Sequence, residues 1–199
     1  HEQLTGKKDK YFDEYVKMLP SHLNEELYFG PLVKDGAINE QGIAGNSWFM
    51  RAACKWYRNS GNAFAREIIE SMQKNLFYRL EPLIDSYPLR REKNELGGAA
   101  GELFVSDERW QFSTDIGCVY IGLDGIAHAH EVLQDEQGKR LLEKLIDHFA
   151  ETDFVACGFQ VHATLSAARG IMKFYELTGE GKYLALARSV FDTYIAKGM

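Results

Sequence analysis

At 199 residues, with 45% hydrophobic and 26% charged side chains, the chain has the composition of an ordinary globular domain and the length to bury a sizeable core. Its net charge of -6 argues against nucleic acid as a partner, because phosphate binding requires an excess of clustered Lys and Arg. No apolar run approaches the ~20 residues of a membrane helix, and the opening HEQLTGKKDK lacks the apolar stretch of a signal peptide. A soluble protein without a membrane role is expected. Because the chain begins at His1 rather than Met, its compartment stays open between cytoplasmic and exported. Cys54, Cys118 and Cys157 are too few and too far apart for a disulfide framework, and reduced, buried thiols are expected.

Residues 8 to 19, with Tyr11, Phe12, Tyr15, Val16 and Leu19, predict a leading helix. A long connection over residues 20 to 42 follows. Residues 43 to 60 place Phe49, Ala53, Trp56 and Tyr57 on a helical face, and Ser60-Gly61 ends the run. Asn62 is a suitable N-cap for a returning helix, whose Ile68, Ile69, Met72 and Leu76 form one stripe of a 3.6-residue period. A second long connection, residues 80 to 112, carries Pro82, Pro88 and Gly97-Gly98. The plan then recurs. Residues 113 to 133 predict a helix capped by Ser113, a turn spans 134 to 138, and Leu141, Leu142, Leu145, Ile146 and Phe149 mark an amphipathic return. The third copy runs from 159 to 178, stops at Gly179, and returns through Tyr183, Leu184, Ala187, Val190, Phe191 and Tyr194.

The turns match as well: Lys55 to Asn62 (KWYRNSGN) parallels Lys173 to Glu180 (KFYELTGE), the sign of a repeat. Within each pair the first helix is rich in Gly and Ala and poor in charge, while the second has one polar face, as expected of the inner and outer walls of a two-layer ring. An all-α fold is therefore expected, an α/α toroid of helical hairpins in a single domain over residues 1 to 199. A closed ring of six hairpins needs twelve helices, and about seven are legible. About half of the ring is thus expected to be present, with the rest absent or supplied by self-association through the apolar hairpin flanks.

Both long connections enter the end of the ring where inner helices begin, and ordered long loops are more often functional than not. The segment from Glu102 to Asp115, ELFVSDERWQFSTD, brings aromatic, hydroxyl, Arg and acidic groups to one such entrance. Sugars offer an apolar ring face for stacking and hydroxyls for carboxylates, so Trp110 with Asp115 suits one residue of a glycan. The bland alternatives are that Trp110 plugs the ring and that Asp115 serves the helix dipole from the first turn. Glycosidic hydrolysis needs two carboxyl groups, and Glu102, Asp107 or Glu40 is the candidate second. Gln160 and His162 fall in the first turn of the third inner helix, the one a substrate ligand, the other a proton carrier or simply a satisfied helix-start histidine. Trp48 and Arg51 offer a second sugar platform and an anion clamp, or else packing and a surface ion pair. His128 and His130, near the far end of their helix, suit the dipole and are read as structural. Cys118, Cys157 and His162 lack paired zinc-ligand spacing, so neither metal nor cofactor is expected.

The stretches VHATLSAARGI (161 to 171) and YELTGEGKYL (175 to 184) resemble the inner-turn-outer unit of six-hairpin glycosidases, and WQFSTDIG (110 to 117) resembles one of their inner-helix entrances. The likeness spans residues 43 to 199 loosely and is greatest to the β-L-arabinofuranosidase-like branch. It implies a catalytic barrel acting on plant or microbial oligosaccharides or polysaccharides. It transfers no catalytic residues: the zinc-held cysteine and Glu-x-Cys element of that branch have no counterpart here, and Cys118 and Cys157 do not fit it. The expected function is therefore a glycoside hydrolase, with Asp115, Glu102 and His162 as catalytic candidates. The alternatives are a polysaccharide lyase or sugar epimerase on the same fold, or a helical-repeat scaffold that binds protein.

Overall fold

The computed structural model describes residues 11–33, 37–89, 104–105, 109–112 and 115–197, together with Gly6 and Asp9. Among the described residues the fold is all-α, with seven α-helices: α1 (Phe12–His22), α2 (Glu40–Ser60), α3 (Ala63–Asn75), α4 (Gly122–Leu133), α5 (Glu136–Ala150), α6 (Val161–Thr178) and α7 (Gly181–Lys197). Three short strands, β1 (Ile38–Asn39), β2 (Phe104–Val105) and β3 (Trp110–Phe112), make one small sheet in the order β1-β3-β2.

Three hairpins follow one another, each closed by the same device. The residue after the first helix takes a left-handed conformation and returns its N–H to the carbonyl four residues back: Gly61 (φ 64°) to Tyr57, Gln134 (φ 51°) to His130, and Gly179 (φ 73°) to Tyr175. Asn62 and Asp135 then cap the returning helices, their side-chain oxygens accepting from the N–H groups of Ala65 (3.0 Å) and Gly138 (2.7 Å). Gln134 does without glycine what Gly61 and Gly179 do, which is why the middle turn is the least legible of the three.

The first helices of the hairpins form one layer, α2 against α4 and α4 against α6. Contacts advance together along them: Ser47 Oγ donates to the Ile121 carbonyl, Arg51 pairs with Asp124 and Arg58 with Glu131, while Arg169 and Lys173 of α6 reach the same two carboxylates. The three helices therefore run parallel. Close approach is achieved at glycines. A Cβ at Gly125 would stand 2.8 Å from the Ser47 backbone, and one at Gly170 would overlap the Leu123 and Asp124 backbone. Helices α3, α5 and α7 pack against α2, α4 and α6 respectively. The core lies between the layers and draws on Met50, Ile69, Ile126, Leu145, Ile171 and Val190. Helix α1 buries no residue and touches the first hairpin through an edge contact of Phe12 with Trp56 (5.9 Å). At the other end Leu165, Leu184, Phe191 and Ile195 are exposed, an apolar flank on the third hairpin. No helix among the described residues is long and apolar enough to cross a membrane.

One element starts later than the sequence suggests. The helix expected from residue 113 begins as a 3-10 turn at Cys118–Ile121 and becomes α-helical at Gly122, because Gly117 takes φ 92° and breaks the path. Ser113 lies outside the described residues. The thiols of Cys54 and Cys118 are buried and that of Cys157 half-buried, and none of the three is in a disulfide among the described residues.

Candidate functional site

The two long connections do meet at the start of the parallel helices. Ile38 and Asn39 pair in parallel with Trp110 and Gln111, and the Ile38 N–H donates to the Arg109 carbonyl at 2.7 Å. What they build there is a plug. Trp110 is fully buried, its Nε1–H donating to Ser86 Oγ at 3.0 Å, with its ring edge-on to Tyr87 (5.2 Å). The Tyr87 hydroxyl accepts from the Gly117 N–H (2.9 Å) and donates to Glu40 Oε2 (2.6 Å), and Glu40 is itself fully buried at the first residue of α2. The expected role of Trp110 as a sugar platform is thus corrected: an indole with both faces packed presents no stacking surface, and it belongs to the core.

The other candidates lie around this plug. Asp115 is half-buried in a bend three residues before the 3-10 turn, not in a first helical turn, so it does not serve a helix dipole. The Gln160 N–H donates to the Ile116 carbonyl at 3.2 Å, which sets the Asp115 segment beside the start of α6. Gln160 occupies the N-cap position without capping, and its Oε1 is buried with no hydrogen-bond partner among the described residues. His162 is exposed on the first turn of α6. Glu102 and Asp107 lie outside the described residues. Among the described residues no group of three His, Cys, Asp or Glu side chains is arranged to hold a metal ion.

Farther along the parallel helices, on the face they share, lies a ladder of charge. Asp124 has no exposed surface; Arg169 grips it with Nε at 3.0 Å and Nη2 at 2.7 Å, and Arg51 adds Nη1 at 3.2 Å. One rung on, Glu131 pairs with Arg58 and with Lys173 Nζ (2.8 Å). Burial alone would raise the Glu131 carboxyl, but the hydrogen bond and charge of Lys173, with Arg58 and His128, hold it below the ordinary carboxylate value. His128 sits between the rungs, 3.9 Å from each carboxylate; burial lowers its pKa against the pull of Asp124, so the ring is neutral at pH 7. Beneath the ladder, burial and then Glu131 push the Cys54 thiol up to about 12, which leaves it unreactive.

Arg51, Ala52, Lys55, Arg58 and His128 line a cavity of about 340 Å³, at the low end of the range for small-molecule sites. Trp48, 44% exposed, lies on the same stripe of α2 as Ala52 and Lys55, one turn before the cavity. Of the residues singled out from sequence, then, Trp48 and Arg51 come together at an open surface. His128, read as structural, faces the cavity. Lys55 and Arg58 were missed, although their spacing from Arg51 (i+4 and i+7) places all three on one helical face and was open to reading. Compared with known proteins, the chain matches no family model, no curated protein and no solved structure.

Proposed function

We propose that the chain is part of a carbohydrate-active enzyme, a glycoside hydrolase, built as a ring of helical hairpins whose inner wall is the layer of α2, α4 and α6. The observation that carries this reading is the pairing of an exposed indole, Trp48, with a cavity one turn away that Arg51, Lys55 and Arg58 line. That is the mixture of apolar platform and charged donors that holds a sugar. Saccharide lies along α2 from Trp48 to the cavity, and its scissile bond reaches toward Asp115 and His162 at the helix starts. Glu102 is the proposed second carboxyl group, since hydrolysis needs two. The test is release of reducing sugar from plant-wall oligosaccharides, with Asp115→Asn in parallel. The reading expects turnover that falls by at least about a hundredfold in the variant, the usual worth of a positioned acid or base; turnover indifferent to the substitution rejects the catalytic assignment.

A second reading draws on the apolar flank of α6 and α7 with exposed Leu165, Leu184, Phe191 and Ile195. In it the inner face is a scaffold for protein, and the flank is where another hairpin or a second copy packs.

A further inference from the structure

We infer that the cavity between α2 and α4 recognises the carboxylate groups of an acidic saccharide, so that the substrate class is a uronate-containing chain rather than a neutral one. This rests on the saccharide reading above and deepens it. Asp124 is shared by two cations, Arg51 and Arg169, and Glu131 by two more, Arg58 and Lys173. Each rung has one negative charge for two positive ones. Glu176, 3.3 Å from Lys173, offsets one of these, while Lys55 adds another and makes no ion pair among the described residues. His128 contributes no charge at neutral pH. A local excess of about two positive charges thus surrounds a cavity whose own lining carries Arg51, Lys55 and Arg58, in a protein of net charge -6, so composition does not explain it.

Geometry selects the kind of anion. Arg169 already satisfies Asp124 with a two-pronged grip, and Arg51 adds only Nη1, which leaves it the better placed of the two to meet a further carboxylate. Arg51, Lys55 and Arg58 lie along two turns of α2, a rise of about 10 Å. That distributes the positive charge along a line, which suits carboxylates strung on a sugar chain better than the concentrated charge of one phosphate. The exposed ring of Trp48 continues the same stripe and supplies a platform for the neighbouring sugar, which a bare ion would not use.

The experiment is calorimetric titration of the chain with trigalacturonate and with its fully methyl-esterified form, which keeps the sugar and removes the charge. Lys55→Glu is the variant, because an exposed side chain without an ion pair is replaced without loss of folding. Lys74→Glu on exposed α3 makes the same change of net charge away from the cavity. The proposal expects saturable binding of trigalacturonate, weakened about tenfold or more by Lys55→Glu, unchanged in Lys74→Glu, and binding of the ester at least tenfold weaker than of the acid. Equal weakening by both variants means general charge attraction and overturns it. If acid and ester bind equally, and Trp48→Ala weakens both, the acidic class falls while the saccharide reading stands. If neither binds, both fall.

Discussion

Two regions of the parallel-helix layer hold the residues that matter, and they have opposite character. The entrance, where β1 and β3 meet the start of α2, is crowded with Trp110, Tyr87, Glu40 and Tyr120, and its hydrogen bonds are made inward, one to the next. The groove midway along α2 and α4 is open, and its carboxylates are outnumbered by the cations that hold them. Richness in aromatic and acidic residues marks the first; unspent charge beside an exposed indole marks the second. The buried network of Trp110, Tyr87 and Glu40 satisfies itself and has nothing left for a ligand, whereas a surface network with surplus charge does.

The contrast is sharpest under substitution. Trp110→Ala removes a fully buried indole and its bond to Ser86, and is expected to cost about 3 to 5 kcal/mol of stability, measured by urea unfolding. Asp124→Asn leaves Arg51 and Arg169 facing each other without a counter-charge. The expected cost is about 2 kcal/mol, less than for a fully buried pair because Arg169 is about half exposed and regains water. If the entrance were the open site and the groove the core, these two costs would be reversed.

Acid should act on the groove. Burial holds His128 below the ordinary histidine value of about 6.5, so on acidification the unfolded chain takes up that proton first. Stability is then full above about pH 6.5 and declines as pH falls toward the lower folded value, with His148, also lowered by burial, contributing to the same limb. Glu131 acts at lower pH: its contribution is complete above the ordinary carboxylate value and is lost as pH falls through its depressed folded value. Urea midpoints at pH 7, 6 and 5 should therefore fall, and His128→Gln should flatten the fall; a fall of unchanged steepness would place the titrating group elsewhere. The smallest effect is expected of Trp48→Ala, within about 0.5 kcal/mol of wild-type stability, because the ring is exposed. Under the proposed function its consequence is for saccharide binding alone.

Much of the helical plan was legible because its punctuation is local. Gly61 and Gly179 stop their helices where a left-handed residue is needed, and Asn62 caps the next helix through its own side chain. The delayed start of α4 was not legible, since Ser113 and Gly117 compete as boundaries and only the packed structure decides between them. Nor was the burial of Trp110: an aromatic beside acidic residues reads the same whether it plugs a core or holds a sugar. The ladder was hidden for a different reason. Asp124 joins Arg169 across 45 residues of sequence and Arg58 joins Glu131 across 73, pairings that require the register of three parallel helices. The cationic stripe of α2 needed no register, only a helical wheel.

The most direct measurement is a crystal structure of the chain with trigalacturonate. The account predicts sugar stacked on Trp48 with carboxylates engaged by Arg51, Lys55 and Arg58 and with Trp110 untouched in the core. A ligand seated elsewhere, with no carboxylate on those three side chains, would contradict it.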